Sequence, residues 1–192
     1  MPGQINYLRV SITDRCNLRC FYCTPWGSWQ KLPSREILRY EELLRLARVA
    51  AGVGIRKLRV TGGEPLVRRG ALEFIRGLHQ VPGIEEVCLT TNGVRLVELA
   101  PDLLATGLRH LNLSLDTLRR DRYRDLTGSD HFNDVMAGLE RAVALGFNPI
   151  KINCVVLKDL NDDELLDFAR LTRDHPFPVS YTHLTLPTNR EV

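Results

Sequence analysis

Three cysteines stand within eight positions, in the run Cys16-Asn-Leu-Arg-Cys20-Phe-Tyr-Cys23. Thiolates are soft ligands, and three this close can face one metal centre, either an iron–sulfur cluster or zinc. Structural zinc takes four ligands, usually as two separated pairs. The nearest further donors, His79, Cys88 and His110, lie in other units of the chain. A [4Fe–4S] cluster normally takes four cysteines; held by three, it keeps one iron open for something else, which suits a catalyst. The spacing by itself leaves both metals open. The total of five cysteines is odd, which points to metal or catalytic chemistry in a reducing compartment rather than disulfides.

The elements that must position these thiols are short β-type runs alternating with longer helical patterns. Strands are predicted at Leu8–Thr13, Lys57–Thr61, Glu86–Asn92, His110–Asp116 and Ile150–Leu157. Helices are predicted at Glu41–Ala51, Ala71–His79, Arg95–Ala105, Asn133–Leu145 and Asp162–Arg173, with Asn161 placed to cap the last. Helix-length crossovers imply a parallel sheet, open or curled into a barrel. Parallel strands covered on both faces read as unbroken apolar runs, but these alternate: Leu111, Leu113 and Leu115 interleave with Asn112, Ser114 and Asp116. Since side chains alternate across a strand, each strand has one apolar face for helices and one polar face. The expectation is a splayed, incomplete barrel with a polar lumen, placing Arg9, Arg59, Thr90, Ser114 and Lys151 around one cavity. The cysteine run follows the first strand, hence lies at the end of the barrel where active-site loops gather.

Thr61-Gly62-Gly63-Glu64-Pro65 ends the second strand. Paired glycines permit close approach of backbone to a neighbour, although a plain strand-to-helix turn would also read this way. No phosphate-binding P-loop pattern is present. Cys88 and Cys154 read as buried small hydrophobes, and Arg68 and Arg69 as surface or loop charges. The net charge of +3 gives no concentrated basic stripe for nucleic acid. No apolar run reaches membrane-spanning length, and the first residues lack a secretory layout, so a cytoplasmic location is expected.

CxxxCxxC directly after a first barrel strand resembles the signature of the radical S-adenosylmethionine (SAM) superfamily, and TGGEP resembles its second motif. The resemblance implies a partial (β/α) TIM-like barrel. It also implies a [4Fe–4S] cluster on Cys16, Cys20 and Cys23, whose open iron SAM chelates and whose electron, when the cluster is reduced, releases a 5′-deoxyadenosyl radical from SAM. Within the superfamily, five runs resemble the GTP 3′,8-cyclases of molybdenum cofactor biosynthesis: LRVSITDRCNLRCFYC at 8–23, LRVTGGEPLVRRG at 58–70, LTTNG at 89–93, LNLSLDTL at 111–118 and KINCVV at 151–156, followed by LNDDE at 160–164. That resemblance implies GTP contacts at Arg9, Arg59, Thr90 and Lys151, and SAM contacts at Gly63, Ser114 and the backbone of Tyr22. The implied reaction abstracts the C3′ hydrogen of GTP and joins C3′ to C8 of guanine. An electron donor of the flavodoxin or ferredoxin type is expected with it, and a homodimer is compatible with it.

The match stops near Val179. The family's second [4Fe–4S] cluster uses later cysteines that this sequence does not carry. Residues 1–178 are therefore expected to form the partial barrel. Residues 179–192 are expected to be an atypical tail, of foreign origin or a sixth strand, and cyclisation is expected to be weak or lost. Other readings remain: a peptide-maturing or heme-pathway radical SAM enzyme, a zinc-stabilised module without catalysis, or an inactive fragment.

Overall fold

A computed structural model describes residues 5–23, 31–175 and 177–184. Six strands form one parallel sheet in sequential order: β1 Tyr7–Ser11, β2 Lys57–Thr61, β3 Glu86–Thr91, β4 His110–Ser114, β5 Ile150–Leu157 and β6 Val179–Leu184. The crossovers are α1 Tyr40–Gly52, α2 Ala71–His79, α3 Leu96–Ala105, the pair α4 Arg120–Thr127 and α5 Phe132–Ala144, and α6 Leu165–Asp174. Among the described residues, strands β1 and β6 each pair on one side only, and the sheet is a half-barrel. Residues 179–184, expected to begin an atypical tail, pair with β5 from Ile152↔Val179 to Leu157↔Leu184. The segment beyond them lies outside the described residues.

The alternation of apolar and polar residues sorts the two faces as expected. Leu58, Val60, Leu89, Leu111, Leu113 and Ile152 are at most 1% exposed and pack with Phe74, Leu103, Val135 and Phe168 of the helices. Each such side chain contributes roughly 1.5–3 kcal/mol on burial, and this face holds the sheet to its helices. The opposite face is a stack of polar rows. Parallel register aligns Arg9, Arg59, Cys88 and His110 in one row. Thr90, Asn112 and Lys151 form the next, and Ser114, Asn153 and Ser180 the one above.

Helix α4 was not legible in the sequence. Its residues, RDRYRDLT, carry too little apolar content for a helical stripe, and only Tyr123, Leu126 and Thr127 are buried. Asn161 also departs from its expected role: its side chain makes no helix cap. It accepts from the Leu157 amide at 2.7 Å and donates to the carbonyls of Asp116 (2.6 Å) and Val155 (2.9 Å). Beside it, buried Glu164 accepts from Thr117 Oγ1 and the Leu118 amide, both at 2.6 Å, and pairs with Arg122. The LNDDE run thus ties the loops after β4 and β5 together instead of starting a helix cleanly.

Candidate active site

The cysteine loop leaves β1 at the C-terminal edge of the sheet and is fastened on three sides. Towards β2, the Gly63 amide donates to Thr13 O at 2.6 Å and the Glu64 amide to Arg15 O at 2.8 Å. A Cβ on Gly63 would stand 2.3 Å from Arg15 O, and one on Gly62 2.5 Å from Thr13 O. The paired glycines are therefore required by the cysteine loop's own backbone. Towards α4, the Arg19 amide donates to Thr127 O at 2.9 Å and the Phe21 amide to Leu126 O at 3.2 Å. Towards β4, the Tyr22 hydroxyl donates to Asp116 Oδ2, while Asp116 Oδ1 accepts from the Val155 amide at 2.8 Å.

A second layer steadies Cys16. Glu64, 1% exposed, accepts from the Leu66 amide (3.0 Å), Thr91 Oγ1 (2.9 Å) and the Asn92 amide (2.7 Å). Burial raises its pKa against these donors. Asn92 then donates through Nδ2 to Asn17 Oδ1 at 2.8 Å and to Cys16 Sγ at 3.8 Å. The Leu18 amide lies 3.4 Å from the same sulfur. Burial raises the Cys16 thiol. Cys20 and Cys23 share a hydrogen bond that lowers Cys23 to about 7 and raises Cys20. Cys23 is thus the first of the pair to become the thiolate a metal requires.

Cys16, Cys20 and Cys23 open on one cavity of about 280 Å³, which Tyr22, Gly62, Gly63, Thr90, Ser114, Asn153 and Arg9 also line. The donor set suits an iron–sulfur cluster: three thiols, one already acidic, at the mouth of a polar-walled space. The Tyr123 side chain lies buried at the same wall. Arg59 and Lys151, expected around the same cavity, share rows of the lumen face with Arg9 and Thr90 but do not line it.

Arg9, Arg59 and Lys151 form no ion pair among the described residues. The carboxylates that could have met them are engaged elsewhere: Glu64 and Asp116 as above, and Asp14 with the Leu32 amide at 2.6 Å. Arg59 lies over the Tyr7 ring at 5.3 Å, and its Nε is buried without a hydrogen-bond partner. Of the three cations, only Arg59 thus has a buried nitrogen without a partner among the described residues, while Arg9 is exposed and Lys151 partly exposed.

Sequence reasoning missed Glu64, Asn92 and the side-chain role of Tyr22. The Asn-Gly pair after β3 was the available signal, since it marks a tight turn that points Asn92 back at the loop. Arg68, read as a surface or loop charge, is a clamp: it donates to the carbonyls of Ile12 and Leu38 (2.8 Å to Leu38) and stacks on Tyr40 at 4.1 Å.

Comparison with known proteins matches this geometry. GTP 3′,8-cyclases from Moorella thermoacetica and Geobacter sulfurreducens are 50% and 48% identical over 181 and 188 residues, or 94% and 98% of this chain. The chain spans only 56% and 57% of their lengths. Among solved structures, Streptococcus suis SuiB superposes with a TM-score of 0.74 at 18% identity, covering 96% of this chain and 41% of its own. The structure of anSMEcpe with bound AdoMet gives 0.74 at 20%, covering 96% and 52%; both likenesses establish the half-barrel fold. The Radical SAM superfamily model matches residues 10–172, from β1 through the cysteine loop into α6. With the cysteine loop set at the strand ends of a polar-lumened half-barrel, the chain belongs to the radical SAM superfamily.

Proposed function

We propose that this chain is the radical-generating barrel of a GTP 3′,8-cyclase, serving the first step of molybdenum cofactor biosynthesis. The observation that carries the proposal is the set of lumen-face cations, with Arg9 lining the cysteine cavity and Arg59 and Lys151 sharing the rows of Arg9 and Thr90, in a chain 50% identical to such a cyclase.

Membership of the superfamily brings a [4Fe–4S] cluster and SAM, which together supply a 5′-deoxyadenosyl radical able to take a hydrogen atom from a substrate. In this reading Cys16, Cys20 and Cys23 hold the cluster. Gly63, Ser114 and the Tyr22 backbone hold SAM. Arg9 and Arg59 offer planar guanidinium forks to the GTP phosphates, Lys151 adds a point charge, and Thr90 adds a hydroxyl. Anchored in this way, GTP is oriented along the lumen so that its C3′ hydrogen faces the cysteine end, and positioning is the protein's main contribution. An electron donor of the flavodoxin or ferredoxin type completes the set.

The test uses the anaerobically reconstituted 192-residue chain, reductant, SAM and GTP deuterated at C3′. The expected product is 5′-deoxyadenosine carrying deuterium, formed faster with GTP than without, whatever the yield of cyclised nucleotide. Deoxyadenosine without deuterium, at a rate indifferent to GTP, would overturn the assignment of substrate and leave the superfamily membership intact.

A further inference from the structure

At the opposite end of the lumen from the cysteines, β3 and β4 begin with a second set of metal-binding side chains. Glu86 is the first residue of β3 and His110 the first of β4, while Cys88 is paired in register with His110. Their ligand atoms all lie within 4.8 Å of one another. Cys88 Sγ is 3.0 Å from Glu86 Oε1 and 3.9 Å from His110 Nδ1, and His110 Nδ1 also contacts Glu86 Oε1. Strand β3 supplies two of the three and β4 the third, and the sheet register unites them.

We propose that Glu86, Cys88 and His110 form a binding site for one soft divalent metal ion, zinc in the first instance. Thiolate, imidazole and carboxylate make a common zinc donor set, with metal–ligand distances of about 2.0–2.3 Å. Tetrahedral geometry at those distances places donor atoms about 3.3–3.8 Å apart, so small rotations of the present side chains would bring three ligands onto one ion and leave the fourth position to water. Cys88 is buried, whereas Glu86 and His110 are partly exposed at the barrel floor and give an ion a way in. Binding displaces the Cys88 thiol proton and any proton between His110 and Glu86 to solvent. The thiolate and carboxylate then balance the charge of the dication.

Lys57 is the competitor, since its Nζ lies 2.6 Å from Glu86 Oε1. For the metal to bind, this lysine must yield one carboxylate lone pair and turn towards solvent, which its partial exposure allows. The site is distinct from the cysteine cavity. Cys88 precedes Asn92, the residue just past β3, by four positions, roughly 13 Å at the rise of an extended strand, and it does not line that cavity.

Cobalt(II) reports thiolate ligation through a charge-transfer band, and the cluster thiols must be silenced to read it. The first experiment therefore titrates cobalt and then zinc into the Cys16→Ala/Cys20→Ala/Cys23→Ala chain. One cobalt per chain is expected, with a thiolate band that zinc displaces. Adding Cys88→Ser should abolish the band, and adding His110→Gln or Glu86→Gln should weaken binding at least tenfold. Should the triple variant fold poorly, the cluster-loaded wild-type chain is exposed to zinc, desalted and assayed for metal. One zinc per chain, lost in Cys88→Ser with iron unchanged, is then expected. Absence of a band in the folded triple variant would overturn the proposal, as would zinc content indifferent to Cys88→Ser. Binding seen only after Lys57→Met would equally overturn it, showing that the lysine holds the carboxylate against metal.

Discussion

The Tyr22 hydroxyl donates to Asp116 Oδ2, joining the cysteine loop to the end of β4 across 94 positions of sequence. Asp116 in turn accepts from the Val155 amide of β5. One carboxylate thus fixes the cysteine loop to two strands, and the third cysteine is the very next residue after the tyrosine.

Tyr22→Phe removes this bond while keeping the ring. Loss of a hydrogen bond to a carboxylate costs about 1.5–3 kcal/mol, or roughly 3–12 °C in Tm for a chain of this size. Thermal melts of the apo chain should show that fall. Iron retention after desalting should drop as well, because the loop loses its β4 anchor. An unchanged melt would mean the phenol is held in some other way.

Gly63→Ala forces a Cβ to 2.3 Å from Arg15 O, where both partners are backbone. The expected cost is about 1–3 kcal/mol or more, together with poor cluster loading. Gly52→Ala, at the end of α1, meets nothing within 4 Å and supplies the control. Its stability should be unchanged, or raised by roughly 0.5–1 kcal/mol. Equal iron content in both variants would show that the close approach of β2 to the cysteine loop has no bearing on the cluster.

In the apo chain, Cys23 should be the most readily alkylated thiol of the three. Its pKa is lowered to about 7 by the hydrogen bond from Cys20, and its side chain is exposed. The thiolate fraction therefore rises as pH climbs from 6 through 8, and the iodoacetamide rate at Cys23 should rise with it while Cys20 stays slow. Peptide mass spectrometry against pH reads this directly; Cys20 reacting first would reverse the order argued here.

Arg9→Ala, Arg59→Ala and Lys151→Ala should each weaken GTP binding roughly 10- to 100-fold, the worth of a charge-assisted contact. Cluster content and SAM binding should hold in Arg59→Ala and Lys151→Ala, since neither residue lines the cysteine cavity, which Arg9 does. Calorimetry with GTP and with SAM on the reconstituted chain separates the two effects. Loss of SAM binding alongside GTP would mean that these residues support the barrel instead.

Much of this site was legible because its chemistry sits in local runs. Cys16, Cys20 and Cys23, the TGGEP turn and the alternating strands each declare themselves within a few residues. Even the lumen could be read, since period-two alternation assigns Arg9, Arg59 and Lys151 to one face. What was not legible depends on register or on loops meeting across the barrel. Cys88 reads as a small hydrophobe until β3 and β4 align it with His110. Glu164 falls within the helix predicted at Asp162–Arg173, yet it is buried against Thr117 and Arg122. Helix α4 lacked an apolar stripe because the only large side chains it buries are Tyr123 and Leu126.

The central claim is that Cys16, Cys20 and Cys23 hold a cluster with one iron open to SAM. Its most direct test is iron and sulfide content, with the absorbance spectrum, of the anaerobically reconstituted chain before and after SAM is added. Close to four irons and four sulfides per chain are expected, with a spectral change on adding SAM, and both should be lost when any of the three cysteines becomes alanine. Stoichiometric zinc at these cysteines, with no iron and no response to SAM, would contradict it and leave a structural metal site in place of a catalytic one.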